Sequence, residues 1–224
     1  MFMENMIHTI EIDSVQKKYD LKTILSDVYI KFSTREIIGL LGRNGSGKST
    51  LLKIIYGIEQ ADNKFVRING ITKNRNADLL KDISYLNQNN FIPYHYSVKK
   101  AILLSINKKA IDDFYNDQMI QQIKNLRINE LSGGELRYLE IKLILSNDSK
   151  FAFLDEPYNG LAPIMIEKVN NLIKQQSNFK GILITDHNYI EIIKIAKKII
   201  FLKDGRTMPI DNNNQLYDYG YLTK

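Results

Sequence analysis

The sequence predicts an α/β fold with a mainly parallel sheet, an N-terminal antiparallel β subdomain and a small helical insertion subdomain. Short β segments occupy residues 7–41, and strands alternate with helices after Leu131. Such alternation is typical of a parallel sheet covered by helices. Between these two parts, residues 98–127 have helical periodicity and contain no glycine, which predicts the insertion.

The composition indicates a folded chain and excludes several kinds of chemistry. With 224 residues and 44% hydrophobic content, the chain is large enough for one sizeable domain. It has no cysteine and only three scattered histidines, which excludes disulfides, thiol catalysis and a zinc pattern. No apolar run approaches the roughly 18 residues of a membrane span, so we expect a cytoplasmic location. The net charge of +6 comes from lysines spread along the chain, which predicts solvated faces and no nucleic-acid partner.

The N-terminal β segments lead into a glycine-rich loop. Residues 7–12 alternate cleanly, residues 27–32 alternate loosely, and residues 36–41 are almost continuously apolar, as in a buried strand. The run GRNGSGKS follows at residues 42–49, and a helical pattern covers residues 50–56. A G-x-x-x-x-G-K-S pattern between a strand and a helix predicts a loop that binds the phosphates of a nucleotide. We call residues 42–49 the phosphate loop.

Each residue type in the phosphate loop has a chemical reason to be there. Gly45 and Gly47 lack side chains, so the backbone N–H groups can approach phosphate oxygens. The Lys48 ammonium is expected to reach the β and γ oxygens, and the Ser49 hydroxyl can ligate Mg²⁺. The following helix directs the positive end of its dipole at the phosphates. The residues expected to bind the nucleotide here are Gly42, Arg43, Asn44, Gly45, Ser46, Gly47, Lys48, Ser49 and Thr50.

Further strands and helices follow the phosphate loop in a regular order. Strands are predicted at residues 65–68, 83–86, 151–154, 182–185 and 199–202, and helices at residues 135–145, 164–175 and 189–196. Residues 212–214 are predicted to form a surface loop before a short tail. We therefore expect a domain over residues 7–206, with its helical insertion at about residues 90–130, and a C-terminal tail over residues 207–224.

The run FAFLDEP at residues 151–157 supplies candidate catalytic carboxylates. Its apolar strand ends at Asp155 and Glu156, at the edge of the sheet where open α/β folds bind ligands. Asp155 is predicted to hold Mg²⁺ through water, and Glu156 to accept a proton from the attacking water. His187, which follows the next strand, is a candidate for polarising the γ-phosphate or the water.

Together with LSGGE at residues 131–135, these runs resemble the ATP-binding subunits of ATP-binding cassette (ABC) transporters over about residues 7–206. LSGGE, here called the signature segment, is more specific than the phosphate loop, which many P-loop NTPase families share. The resemblance implies a P-loop NTPase core that binds ATP and Mg²⁺ and hydrolyses ATP, with Lys48, Glu156 and His187 as its catalytic residues. It also implies a homodimer, or a pair with a second ATP-binding subunit, and an integral membrane permease subunit. The location implied is the cytoplasmic face of the inner or plasma membrane.

Other roles follow from the resemblance alone. Tyr19 resembles the aromatic residue that stacks on adenine, and Gln88 resembles the glutamine that ligates Mg²⁺ and relays the nucleotide state to the insertion. The metal ligands implied are therefore Ser49, Gln88 and Asp155. In the family, the signature segment completes the site of the opposite subunit, which places ATP between Lys48 of one chain and a second anion-binding element of the other. That element consists of Ser132, Gly133, Gly134 and Glu135.

Two further segments bear on partners. Residues 159–163 resemble the loop that crosses the dimer interface, although this chain has Ala162 where the family commonly has aspartate. The insertion is expected to accept a short helix of the membrane subunit in an apolar groove. The candidate groove residues after Gln88 are Phe91, Ile92, Tyr94 and Tyr96.

One other function remains open at this point. A soluble ABC ATPase that remodels a protein complex, of the iron–sulfur assembly type, has a similar signature. Chromosome and DNA-repair ATPases insert long coiled coils before the signature, whereas this chain has a short insertion there, which excludes them. The GLAP and TDHN runs resemble those of branched-chain amino acid importers and of lipopolysaccharide export. The cargo and its direction of movement stay open.

Overall fold

The computed structural model describes residues 6–212 and 214–222. Eleven strands within these residues form two sheets. The strands are β1 Thr9–Tyr19, β2 Lys22–Leu25, β3 Ile30–Ser33, β4 Ile37–Leu41, β5 Asn63–Ile68, β6 Ile71–Thr72, β7 Ile83–Leu86, β8 Phe151–Asp155, β9 Gly181–Thr185, β10 Lys198–Lys203 and β11 Arg206–Ile210. The helices are α1 Lys48–Tyr56, α2 Asn76–Leu79, α3 Val98–Ser105, α4 Ile111–Tyr115, α5 Gln118–Ile123, α6 Gly133–Ser146, α7 Pro163–Gln176, α8 Tyr189–Ile195 and α9 Asn214–Asp218.

The N-terminal sheet is antiparallel, as predicted, and has the order β2-β1-β5-β6 with β3 also paired to β1. Ile10 lies opposite Phe32 of β3 and Ile68 of β5, so alternate residues of β1 point into the core. β1 is longer than the predicted strand because it continues past an irregularity between Asp13 and Gln16 to pair with β2. That extension places Tyr19 at the end of the β1–β2 hairpin.

The central sheet positions the candidate site. Its order is β11-β10-β4-β9-β8-β7, and every pair from β10 to β7 is parallel, whereas β11 is antiparallel to β10. The strands β4, β9 and β8 are neighbours, so the segments after their carboxyl ends emerge side by side at one edge of the sheet. Ligands of open α/β sheets bind at such an edge.

Two hydrophobic clusters lie on opposite faces of this sheet. Ile38 and Leu40 pack with the N-terminal sheet and α1, whereas Ile37 and Leu41 pack with α6, α7, α8 and the insertion. The central strands are therefore buried on both sides, which explains their continuous apolar sequences. The predicted fold class is confirmed.

The insertion is more broken than its sequence pattern suggests. Residues 98–127 contain three short helices, α3, α4 and α5, and a 3₁₀ turn at Lys108–Ala110, and a second 3₁₀ turn follows at Ile128–Glu130. The side chains of Ser97, Asn107 and Asp117 each cap a new start. Capping residues compete with a continuous helix even where the apolar spacing is helical.

The C-terminal segment differs from the expected tail. Most of β11 lies beyond residue 206, and α9 follows it. Tyr219 then stacks on Phe201 of β10 with ring centroids 5.8 Å apart, and Tyr221 contacts both Phe201 and Tyr189 of α8. Residues up to 222 thus belong to the packed domain. No helix in the described part of the chain has the length and apolar character needed to cross a bilayer.

Candidate functional site

The phosphate loop connects β4 to α1 and encloses one side of a cleft. Gly45 and Gly47 have φ of 75° and 102°, in the left-handed region that glycine adopts without strain. Gly47 is the N-cap of α1, and no side chain caps this helix. The first amides of α1 are therefore available to an anion. The cleft has a volume of about 280 Å³ and is lined by Tyr19, Ile24, Asn44, Gly45, Gly47, Lys48, Ser49, Thr50, Gln88, Glu156 and His187.

Lys48 is a buried cation without an acidic partner in the described residues. Its side chain is 6% exposed, and Nζ donates to the carbonyl oxygens of Gly42 at 2.7 Å and Arg43 at 3.2 Å. Burial lowers the pKa of Lys48, and the nearby charge of Glu156 opposes that effect. Binding an anion beside this ammonium would compensate for its burial.

Three predicted phosphate-loop residues lie away from the cleft wall. Arg43 donates to the carbonyl of Gly220 in the C-terminal segment. Gly42 and Ser46 are in close contact, because a Cβ at residue 42 would lie 2.6 Å from Ser46 Oγ. That Oγ is itself buried without a hydrogen-bond partner among the described residues. These three residues therefore stabilise the conformation of the phosphate loop on the side away from the cleft.

Asp155 lies at the end of β8 with hydroxyl groups on both carboxylate oxygens. Ser49 Oγ donates to Oδ1 at 3.0 Å, and Tyr85 OH donates to Oδ2 at 2.9 Å. Asp155 is fully buried, and burial raises its pKa. The sequence did not point to Tyr85, because a tyrosine within an apolar strand has the pattern of a core residue.

Glu156, Gln88 and His187 meet at the mouth of the cleft. Glu156 Oε1 lies 2.9 Å from His187 Nε2 and accepts a hydrogen bond of 3.0 Å from Gln88 Nε2. The same Nε2 donates to Ser49 Oγ at 2.9 Å. One connected group, which we call the polar cluster, thus contains Ser49, Gln88, Asp155, Glu156 and His187. The structure brings together these five residues from four separate segments of the sequence.

Tyr19 stands at the edge of the same cleft. Its side chain is 44% exposed, its OH donates to Glu59, and Lys17 Nζ lies 4.8 Å from its ring centroid. An exposed ring fixed at its hydroxyl end is available for stacking with a flat ligand.

The signature segment does not reach the cleft of its own chain. Ser132 is the N-cap of α6 and forms a capping box with Glu135: Ser132 Oγ accepts from Glu135 N at 3.3 Å, and Glu135 Oε2 accepts from Ser132 N at 2.8 Å. Ser132 and Gly133 are exposed, and Gly134 is half-buried. Among the described residues, no hydrogen bond connects this segment with the polar cluster. The start of α6, at Ser132 and Gly133, is therefore exposed to solvent.

The loop at residues 159–163 follows the carboxylates directly. The Asn159 N–H donates to the carbonyl of Glu156 at 3.3 Å. Ala162 is the exposed N-cap of α7, which starts with Pro163 and has no side-chain cap. The Ala162 carbonyl accepts from the N–H groups of Met165 and Ile166 at 2.9 and 3.1 Å, but its methyl side chain offers no acceptor to α7 or to a partner.

Arg137 contacts the backbone of the site, although the sequence pattern did not single it out. It lies in the second turn of α6 and is 4% exposed. Its guanidinium donates to the carbonyl oxygens of Asn87 at 2.8 Å, Asp155 at 3.1 Å and Glu156 at 2.9 Å. The sequence does contain one indication of these contacts. The predicted helix has apolar residues on all its faces, so a cation within it is buried and requires hydrogen-bond partners.

The aromatic residues after Gln88 differ in their exposure. Tyr94 and Phe91 are 61% and 44% exposed, so they remain candidates for contact with a partner. Ile92 is 6% exposed and belongs to the core, so the structure contradicts its assignment to a groove. Tyr96 is half-buried, with Lys100 Nζ 3.9 Å from its ring centroid.

Comparison with known proteins identifies the family of this chain. A family model described as "ABC transporter" matches residues 25–159. The chain is 28% identical to the "Lipopolysaccharide export system ATP-binding protein LptB" of Haemophilus influenzae, and the match covers 91% of the chain and 90% of that protein. It is 30% identical to "ABC transporter A family member 11" of Dictyostelium discoideum over 93% of the chain, which spans only 27% of that relative's length. A solved structure, "Structure of ATP binding subunit of ABC transporter", has a TM-score of 0.80 at 20% identity, with 94% and 93% of the two chains covered.

These findings define a nucleotide-binding P-loop protein with an α/β core. The chain belongs to the ABC transporter family, and its fold is that of the family's ATP-binding component, which is an ATPase.

Proposed function

We propose that this chain binds and hydrolyses Mg-ATP in a closed dimer and so drives substrate movement through a separate membrane subunit. The observation that carries the proposal is the polar cluster beside the buried Lys48 of the phosphate loop: Glu156 and His187 line the same cleft as Lys48, and Ser49 connects that cleft to the buried Asp155. Relatives named as ATP-binding proteins of transport systems support the transporter part. No contact of the described residues favours the complex-remodelling ATPase.

The donor set fits Mg²⁺. The described residues contain no group of three or more His, Cys, Asp or Glu side chains able to hold a metal, so an all-protein cage is absent there. Mg²⁺ instead prefers one or two carboxylates together with waters and substrate phosphates, and Asp155 and the Ser49 hydroxyl supply that arrangement. The Gln88 amide presents Nε2 to both Ser49 and Glu156, so it would have to rotate to offer its oxygen to the ion.

The residues of the cleft and of the polar cluster have separate roles in binding and hydrolysing ATP. Bound Mg²⁺ would supply charge stabilisation on the phosphates. Lys48 neutralises phosphate charge from within the loop, and Glu156 accepts the proton of the attacking water. His187 donates to Glu156 or to a phosphate oxygen, according to which ring nitrogen holds its proton. Tyr19 supports the adenine ring by stacking.

The separation of the two anion-binding elements supports a site shared between two chains. Ser132 and the glycine amides at the start of α6 remain open and are not directed at the cleft of the same chain. A second copy, or a second ATP-binding subunit, would place them over the nucleotide, and two-fold symmetry would then form two sites. We infer a homodimer or a pair of this kind, at the cytoplasmic face of a membrane that holds the permease subunit.

The change Glu156→Gln tests the shared site. The glutamine preserves the shape of the side chain but cannot accept a proton. We expect hydrolysis to fall about 10²- to 10⁴-fold, while ATP binding persists and a dimer accumulates with Mg-ATP. Size-exclusion chromatography with light scattering would detect that dimer.

Two double variants serve as controls. Glu156→Gln with Lys48→Ala should lose ATP binding and therefore the dimer, because the buried cation is gone. Glu156→Gln with Ser132→Arg should still bind ATP by calorimetry but stay monomeric, because only the element facing the partner is blocked. A Glu156→Gln protein that is saturated with ATP yet monomeric would contradict the shared site and leave ATP binding intact.

A further inference from the structure

Arg137 and Glu140 form a buried pair on one turn of α6. They are 4% and 0% exposed, and Arg137 Nη1 lies 3.5 Å from Glu140 Oε2. Their hydrogen bonds reach the segments that follow β7 and the end of β8. A buried ion pair seldom adds net stability to a fold. The other groups to which its two side chains bind therefore indicate the role of this pair.

The two residues hold the loop that carries Gln88 at both ends. Arg137 donates to the carbonyl of Asn87, and Glu140 Oε1 accepts from the N–H of Phe91 at 2.8 Å. Gln88 lies between these anchors with an exposed side chain. The loop is therefore tied to α6 on both sides of Gln88.

Arg137 also fixes the backbone of the catalytic carboxylate. Its Nη2 donates to the carbonyls of Asp155 and Glu156. Glu156 has φ of 50°, a left-handed conformation that is strained for a non-glycine residue and persists only where its surroundings hold it. The guanidinium holds the carbonyl side of this residue, and the Thr185 carbonyl holds its N–H at 2.8 Å.

We propose that Arg137 and Glu140 are positioning residues that set Gln88 and Glu156 for hydrolysis according to the position of α6. This inference rests on the proposed function, in which the start of α6 contacts the nucleotide of the partner. A shift of that helix on dimer closure would move the anchors of both catalytic side chains together. The pair thus connects the completion of one site with the hydrolytic geometry of the other.

The test is Arg137→Lys in the full chain, assayed for steady-state ATPase activity and for ATP binding. Lysine retains the charge beside Glu140, but one ammonium cannot replace the planar fork that donates to three carbonyls. We expect kcat to fall about tenfold or more, with KM and ATP affinity changed by less than about threefold, because the geometry of the reacting groups is disturbed but the phosphate loop is not.

Lys142→Arg is the matched control. Lys142 lies on the same helix, is 7% exposed and pairs with Asp117 of the insertion at 2.7 Å, so it has the same setting without contact to the catalytic loops. We expect near wild-type kcat for this variant. An equal loss of kcat in Lys142→Arg, or unchanged kcat in Arg137→Lys, would overturn the inference. So would a parallel loss of ATP affinity in Arg137→Lys.

If Arg137→Lys does not fold, Glu140→Gln decides. It keeps an acceptor for the Phe91 N–H but places an amide nitrogen opposite the guanidinium, so kcat should fall with KM unchanged. Wild-type kcat in this variant would overturn the inference. A wild-type protein without ATPase activity would instead contradict the proposed function itself, so the two failures are distinguishable.

Discussion

At the scale of single residues, the site consists of charges that are buried before any ligand arrives. Lys48 and Asp155 are 6% and 0% exposed, and burial shifts both pKa values toward the neutral forms. Each buried group therefore destabilises the folded protein. A phosphate bound beside Lys48, or a cation bound beside Asp155, would offset that effect. Functional sites commonly reduce stability in this way.

The change Asp155→Asn should reveal that cost. An acid whose pKa is raised above its ordinary 3.8 binds more protons when folded, so wild-type stability falls as pH rises through the interval between the two values. Asparagine does not ionise. We expect the free energy of unfolding of the variant to exceed that of wild type at pH 7, and the excess to shrink as pH falls toward about 4.

Urea unfolding without nucleotide at several pH values would measure this difference. A difference that is the same at every pH would attribute the effect to the hydrogen bonds from Ser49 and Tyr85 and not to ionisation. The same variant should lose the Mg²⁺ dependence of ATP binding, because a neutral amide is a poorer ligand for a hard cation.

The residues that the sequence predicted and those that it missed differ in one physical respect. Lys48, Asp155 and Glu156 lie in short runs whose spacing is set by local geometry, namely a strand, a turn and a helix start. Arg137 and Tyr85 act on groups far along the chain, through contacts that only the packed sheet and helices create. Local pattern has no access to such contacts. The apolar surroundings of Arg137 indicated a need for partners but not their identity.

At the scale of elements, edge strands were harder to predict than central strands. The central strands were recognised because burial on both faces gives an apolar run. The hairpin strand β2 is exposed at its start and has no such apolar run. β11 contains Pro209, and its residues are exposed or only partly buried. Edge strands tolerate such composition because one side of their backbone is unpaired. The C-terminal segment was expected to be a tail for the same reason.

The phosphate loop gives a prediction at this scale, because two of its glycines differ in their surroundings. A Cβ at Gly47 would lie 2.9 Å from Ile24 and 3.1 Å from Leu25, whereas a Cβ at Gly45 meets nothing within 4 Å. Gly47→Ala should therefore lose about 1–3 kcal/mol of stability through backbone strain and this contact. Gly45→Ala should lose about 1–2 kcal/mol at most, from its left-handed backbone alone.

Gly45→Ala should still weaken ATP binding, because the added methyl group occupies the wall of the cleft that receives the phosphates. Denaturant unfolding and calorimetry on the two variants would separate the effects. The interpretation fails if Gly45→Ala is the less stable variant, or if it binds ATP as wild type does.

At the scale of the whole molecule, the exposed apolar residues of the insertion bear on the membrane partner. Tyr94 is 61% exposed and Leu104 of α3 is 68% exposed, and neither contacts the polar cluster. We expect Tyr94→Ser with Leu104→Ser to retain wild-type ATPase activity while the protein no longer fractionates with membranes, because a helix of the permease subunit would lose its apolar contacts.

The matched control is Ile71→Ser with Leu80→Ser, which removes two side chains of 67% and 51% exposure outside the insertion. This control should remain with the membrane fraction, since general surface hydrophobicity is reduced to a similar extent in both proteins. If the insertion variant also stays with membranes, the contact lies elsewhere on the chain. If the wild-type chain co-purifies only with soluble proteins, the membrane subunit is excluded as its partner and the complex-remodelling ATPase becomes the better description, because the same Mg-ATP cycle would then act on a different target.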